Sequence, residues 1–271
     1  MEVGEVCRRR TTAPARAGVG IIPSRSAIAR TARDPLRAHH VRPPHVRLPA
    51  LLFDLDGTLV DSIELIIDSA RHAFIGFEGR APSDEEWRAG IGRPLATAFR
   101  QFTGDEAEVE RLIGRYREYQ LANHDRLMRA YDGIVGVIHT FAAAGHPLAV
   151  VTSKSDWLAK RALELVGLDA DFPVLVGCDS CTNHKPHREP VERALALLNV
   201  PREQALFVGD SPHDVESGRA AGVYTVAVTW GAFSRAEMEA SGADAVIHDI
   251  DELAPLVARF SAQLSPDPQN A

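Results

Sequence analysis

The residues best placed to do chemistry open at Asp54-Leu55-Asp56-Gly57-Thr58. They close an apolar run, Leu51–Leu55, that reads as a buried strand meeting a turn. Side chains two apart on a strand share a face, so Asp54 and Asp56 address one pocket. That pocket lies at the strand's C-terminal end, where open α/β sheets take their ligands. Neighbouring carboxylates repel one another unless a cation is present. A hard, oxygen-seeking ion such as Mg²⁺ answers the need. A calcium loop or a plain turn is the alternative. A calcium loop requires further acids at regular spacing, and here Leu59 and Val60 follow.

Three more segments add to this. Val150-Val151-Thr152-Ser153-Lys154 ends another apolar run in hydroxyls, which with backbone N–H groups suit a phosphate oxygen. Simple N-capping by Ser153 or Ser155 is the competing reading. Lys185-Pro186 offers one of only three lysines in the chain, a cation able to balance carboxylates and phosphate together, unless it is an ordinary surface lysine. Phe207-Val208-Gly209-Asp210-Ser211-Pro212-His213-Asp214 brings a further acid to a strand end. Asp210 would reach the metal. Asp214, one helical turn on, would order Lys185 or stand behind the metal. An N-cap followed by a first-turn proline explains the same string. His213 reads as a helix-start surface residue.

The elements that must position these residues follow from the hydrophobic pattern. Strand-like runs recur at Leu148–Thr152, Val174–Val176, Ala205–Val208, Thr225–Val228 and Ala245–Ile247. Helical patterns alternate with them, stopping at Gly145, Gly167, Asn199 and Gly222. This is an α/β chain with a Rossmann-like, three-layer parallel-sheet core. Residues 63–130 break the rhythm: Ile63–Phe74, Ser83–Ala89 and Glu106–Met128 read as helices, with no strand among them. The expected division is residues 50–64 and 131–271 for the core and 65–130 for an inserted all-helical cap.

Composition bounds the rest. The 271 residues are 45% apolar and 25% charged, ordinary for a soluble globular protein. No eighteen-residue apolar run exists to cross a membrane, and three cysteines make no disulfide scaffold. A cytoplasmic location is expected. The net charge of −7 divides unevenly: residues 1–49 carry ten arginines against three acids, leaving the remainder strongly acidic. An acidic body argues against nucleic acid as a partner. The arginine- and proline-rich residues 1–49 read as a disordered extension or an over-long reading frame, with an organelle transit peptide as a lesser reading.

Taken in order, Asp-x-Asp-Gly-Thr, a strand-end Thr, Lys-Pro and Gly-Asp-Ser-x-x-Asp resemble the haloacid dehalogenase-like superfamily. The helical insertion after the first motif is similar to its members with a helical cap, above all the phosphoglycolate phosphatase and pyrophosphatase types. The resemblance covers residues 50 to about 258. It implies Mg²⁺ chemistry through an aspartyl-phosphate. Asp54 would be the nucleophile. Asp56 would protonate the leaving oxygen and then activate water. Asp54, Asp56 through its backbone carbonyl, and Asp210 would hold the metal. Thr152, Ser153 and Lys185 would bind the phosphoryl group. In the cap, Gly90-Ile91-Gly92-Arg93-Pro94-Leu95 resembles a substrate-facing loop, and Arg93 would meet a carboxylate or a second phosphate.

The same resemblance excludes some relatives. Dehalogenases lack the second aspartate of the first motif, which is Asp56 here. Residues 63–130 contain no lysine for a Schiff base, and Ile66 stands where mutase-like members carry a cap histidine. The expected substrate is a small phosphorylated metabolite, phosphoglycolate first and inorganic pyrophosphate as the alternative. A non-catalytic binding protein of the same fold is the reading from another class. The oligomeric state is open. Cys178, Cys181, His184 and His187, each three apart, fit a zinc site or a redox pair less well than a plain loop.

Overall fold

The computed structural model describes residues 48–264. The expectation for the basic segment therefore falls almost wholly outside the described residues. Strand β1 is Ala50–Phe53, and a short β2 at Val60–Asp61 follows the acidic turn. Helices α1 (Ile63–Ala73), α2 (Asp84–Arg88), α3 (Leu95–Phe99) and α4 (Glu106–Leu127) come next, and β3 is Arg129–Ala130. The chain then alternates: α5 (Ile134–Ala144), β4 (Leu148–Val151), α6 (Asp156–Val166), β5 (Val174–Val176), α7 (Glu189–Leu198), β6 (Ala205–Gly209) and α8 (Pro212–Ala221). It closes with β7 (Tyr224–Val228), α9 (Arg235–Ala240), β8 (Ala245–Ile247) and α10 (Leu253–Leu264).

Six strands form one parallel sheet in the order β5-β4-β1-β6-β7-β8. The central strands β1, β4 and β6 are buried along their whole length, as their unbroken apolar runs require. Their period of two divides the core. Leu51 and Phe53 pack with α5, α6 and α10 through Ile138, Phe141, Leu163 and Leu256. Ala50 and Leu52 pack on the other face with Val191, Ala194 and Leu195 of α7 and Ala221 of α8. The strand order reverses between β1 and β6, and this switch point opens the crevice where a doubly wound sheet binds its ligand.

The first four helices leave and rejoin the core at one place. Val60 pairs with Ala130 and Asp61 with Arg129 in an antiparallel β2–β3 ribbon, reinforced by Arg129 Nη2 to Asp61 Oδ2 at 2.6 Å. The sequence reading missed this ribbon, because two-residue strands carry no periodicity, and it missed α3, a five-residue helix without the side-chain cap that marks α2. Within the insert α1 lies along α4, and α2 opens with a Ser83–Glu86 capping box. Phe74, Trp87, Phe99, Phe102 and Tyr116 form its aromatic centre, with ring centroids 4.9–6.2 Å apart.

Candidate active site

Asp54 follows β1 immediately, and its N–H donates to Val208 O at 2.9 Å, which fixes it between β1 and β6. The chain then folds back tightly: the N–H groups of Leu59 and Val60 both donate to Leu55 O. Gly57 makes this turn with φ +87°, and a Cβ there would lie 2.2 Å from Asp210 Oδ2. Gly231 is bare for the same reason, its absent Cβ falling 2.2 Å from that oxygen.

Lys185 is buried beneath these strand ends, with Nζ 2.8 Å from Asp54 Oδ1 and 2.6 Å from Asp214 Oδ1. Asp214 is itself fixed by Ser211, whose N–H and hydroxyl donate to Oδ2 at 3.0 and 2.6 Å. Asp214 thus orders Lys185, one of the two roles its spacing suggested, and Ser211 caps α8. Asp210 Oδ1 accepts from Thr58 Oγ1 at 3.1 Å and its Oδ2 from the Ala232 N–H at 2.7 Å. Trp230, to which the sequence reading gave no role, donates from Nε1 to Thr58 O at 3.1 Å and so steadies the turn from outside.

Asp54, Asp210 and Asp214 each offer a carboxylate oxygen within 4.8 Å of the others. One buried ammonium faces three buried carboxylates. Burial, helped by the charges of Asp214 and Asp56, overcomes the opposing Lys185 and pushes Asp54 up to about 7. Burial and the charges of Asp54 and Asp214 hold Asp210 well above the carboxylate range. Burial would lower the Lys185 ammonium, but Asp214 and Asp54 more than reverse this. The set lacks one or two positive charges, and its donors are all hard oxygens, so it fits Mg²⁺.

The expected metal contact of Asp56 is its backbone carbonyl, and its carboxylate is engaged by other residues. Lys154 Nζ lies 2.7 and 2.8 Å from the two oxygens, and Ser62 Oγ donates to Oδ1 at 2.6 Å. Burial pushes Asp56 up, yet the charge and hydrogen bonds of Lys154, with Ser62, hold it below its usual value. Asp56 is thus kept ionised. Lys154 was the residue most plainly missed, although its rarity and its place after the hydroxyl motif were both visible.

Thr152 sits at the end of β4, its Oγ1 accepting from the Lys154 N–H at 3.2 Å. Ser153 does not cap α6. Its hydroxyl donates to Gly92 O of the insert at 2.6 Å. Beside it Arg93 Nε donates to His213 Nε2 at 3.1 Å, so His213 is a half-buried contact between insert and core rather than a plain surface residue. These two bonds close the rim of a cavity of about 90 Å³. Asp54, Asp56, Thr152, Ser153 and Lys154 lie on its core side, and Trp87, Arg93, Tyr116, Arg117 and Gln120 on the other. Cys178 and Cys181 are both free thiols, and burial pushes Cys178 up to about 11. They and the nearby histidines form no metal cluster among the described residues.

The family model for haloacid dehalogenase-like hydrolases matches residues 51–228. The chain belongs to the haloacid dehalogenase-like hydrolases. A relative from Caldanaerobacter subterraneus, provisionally named pyrophosphatase PpaX, is 39% identical over 212 residues, covering 78% of this chain and 96% of its own. Pyrophosphatase PpaX of Bacillus cereus is 35% identical over 216 residues, covering 80% and 99%. Among solved structures, a predicted phosphatase from Clostridium acetobutylicum superposes with a TM-score of 0.70 at 29% identity, covering 79% and 100%. A predicted phosphoglycolate phosphatase from Haemophilus somnus gives 0.70 at 25%, covering 77% and 97%. The family and the dehalogenase-like hydrolase fold are thereby shown for this chain. Among its described residues no helix is long and apolar enough to cross a membrane.

Proposed function

We propose that this hydrolase is a Mg²⁺-dependent pyrophosphatase acting through an aspartyl-phosphate on Asp54. The order of the two candidate substrates is thus the reverse of the sequence expectation. The observation that carries the choice is the state of Asp56, held ionised by Lys154 and Ser62. Phosphoglycolate must expel the alkoxide of glycolate, a strong base that needs a proton as it departs, and general acid catalysis is worth about 10²–10⁴-fold there. Pyrophosphate carrying one proton expels hydrogen phosphate, a far weaker base that depends less on that help. An ionised Asp56 suits the second kind of leaving group. The names of the PpaX relatives point the same way.

In the first step a carboxylate oxygen of Asp54 attacks phosphorus, and the bond to the bridging oxygen breaks with its electron pair leaving on inorganic phosphate. In the second step Asp56 takes a proton from water as the water oxygen attacks the same phosphorus. The bond from phosphorus to Asp54 breaks, the carboxylate is restored, and Asp56 returns its proton to solvent. Lys185 and Thr152 hold the transferring phosphoryl oxygens. Asp54 and Asp210 would hold Mg²⁺, which neutralises charge on those oxygens when bound. The Lys154 contact to Asp56 and the Ser153 hydroxyl on Gly92 O hold the shape of the pocket.

Phosphate release from pyrophosphate and from phosphoglycolate, measured side by side with Mg²⁺, tests this. Pyrophosphate should be the better substrate by at least about tenfold in kcat/KM, and Asp54→Asn should lose more than about a thousandfold on it. A preference for phosphoglycolate would overturn the pyrophosphatase reading. Full activity in Asp54→Asn would overturn the covalent mechanism.

A further inference from the structure

Two arginines of the insert, Arg93 and Arg117, line the cavity beside Asp54 and Asp56. Arg71, Arg80, Arg100 and Arg111, exposed on the same set of helices and loops, each pair with a carboxylate. Arg93 and Arg117 do not pair with any among the described residues. Each instead donates to a neutral acceptor. Arg93 Nε reaches His213 Nε2 at 3.1 Å, and Arg117 Nη1 reaches Gln120 Oε1 at 2.8 Å. Gln120 is 3% exposed, so its amide is a fixed support rather than a passing contact. Both arginines line the cavity that contains Asp54 and Asp56.

An acceptor without charge aims a guanidinium and leaves its positive charge intact. A carboxylate would have cancelled it. The same cavity is lined by Trp87, Ile91, Leu95, Ala98 and Tyr116, which keep the local dielectric low and strengthen any ion pair formed there. The two come from independent elements, Arg93 from the loop tied to Ser153 through Gly92 and Arg117 from α4. Guanidinium forks match phosphate and carboxylate oxygens in pairs.

We propose that Arg93 and Arg117 together grip an anionic group on the leaving side of the scissile bond, with His213 and Gln120 as their positioning residues. The proposal rests on the pyrophosphatase reading in taking that group to be the departing phosphate. It also goes further, since it requires an anion there whatever the substrate. Arg117 is the new member: nothing in the sequence separates it from the many other arginines. Two cations on the leaving side also stabilise the charge that develops as the bridging bond breaks.

The test compares substrates with and without a leaving-side anion. For the full-length protein and for Arg93→Gln and Arg117→Gln, kcat/KM is measured with pyrophosphate, phosphoglycolate and 4-nitrophenyl phosphate. The ratio of pyrophosphate to the aryl phosphate should fall about 10–100-fold in either variant, the range expected for one charge-assisted contact. Imidodiphosphate, a non-hydrolysable probe, should bind more weakly to both variants by a similar factor in calorimetry. Unchanged ratios and unchanged imidodiphosphate affinity would overturn the grip. Should the glutamine variants not fold, Arg117→Lys keeps the stem and charge and loses the fork. A several-fold drop in the same ratio is then expected, and no drop overturns the proposal. If wild type prefers phosphoglycolate, the pyrophosphatase reading falls alone. The ratio of phosphoglycolate to aryl phosphate then decides the grip by the same criterion.

Discussion

At the scale of single residues, the two aspartates of the first motif are driven in opposite directions by their surroundings. Asp54 is raised to about 7 because burial and like charge outweigh Lys185, and Asp56 is lowered because Lys154 and Ser62 outweigh burial. Removing Lys154 leaves Asp56 buried with its main counter-charge gone, so its pKa should climb. In Lys154→Met the acid limb of the pH–rate profile should move to higher pH, with activity at pH 6 lost more than at pH 8. A limb that stays put would show that Lys154 does not govern Asp56. For Asp54 the sign is the reverse. A folded pKa above the unfolded one gives stability that is full below about pH 4 and disappears as pH rises through about 7. A bound cation replaces that proton. The rise in Tm on adding Mg²⁺ should therefore be larger at pH 8 than at pH 5.5, as differential scanning fluorimetry would record. Asp54, Asp56 and Asp210 were legible because motif and strand-end position agreed, and Lys185 because lysine is rare in this chain. Lys154 was not, because its partner Asp56 lies 98 residues away and only the β1–β4 pairing joins them.

At the scale of elements, what the sheet supplies is four strand ends at one level, and what the turns supply is room. The bare Cα of Gly231 admits Asp210 at a distance no side chain would allow. Gly231→Ala should push the Asp210 carboxylate from its place, abolishing activity and lowering stability by about 1–3 kcal/mol, as overpacking does. Activity within twofold of wild type would show that the turn can give way. Ser211→Ala removes both the α8 cap and the hydroxyl on Asp214. A cap costs about 1 kcal/mol, and the release of Asp214 should in addition lower kcat through a poorly oriented Lys185. Urea denaturation and steady-state kinetics separate the two effects. Core strands were readable to within a residue or two, because burial on both faces leaves an unbroken apolar run. Helix ends were readable from Gly145, Gly167 and Gly222, which adopt the left-handed C-cap their positions suggested. The β2–β3 ribbon was invisible, since two residues make no period and their partners are 68 apart.

At the scale of the molecule, the sheet carries the acidic cluster and the helical insert walls the cavity beside it. Phe99 is fully buried within the aromatic centre of the insert and touches no catalytic group. Phe99→Ala should cost about 3–5 kcal/mol, raise KM for pyrophosphate, and leave the spectrum of the core intact. Trp87 sits in that same cluster and on the cavity wall, so its fluorescence should report imidodiphosphate binding directly. The sequence told the chemistry of this molecule better than its selectivity. Acid pairs and strand ends announce themselves locally. The selectivity surface proposed above is assembled from residues such as Arg93, Arg117 and Gln120, which only the packing of α4 against the rest brings into one cavity.

The ribbon at Val60–Asp61 and Arg129–Ala130 has a meaning for inheritance as well as for shape. Paired strands lie about 5 Å apart, so the whole helical segment begins and finishes at nearly the same point in space. A segment with its two ends together can lengthen, shrink or be traded for another while β1 keeps its register and Asp54 its address. Lineages sharing this core would be free to retain one reaction and change clientele, with substitutions gathering between residues 61 and 129 and sparing the strand ends.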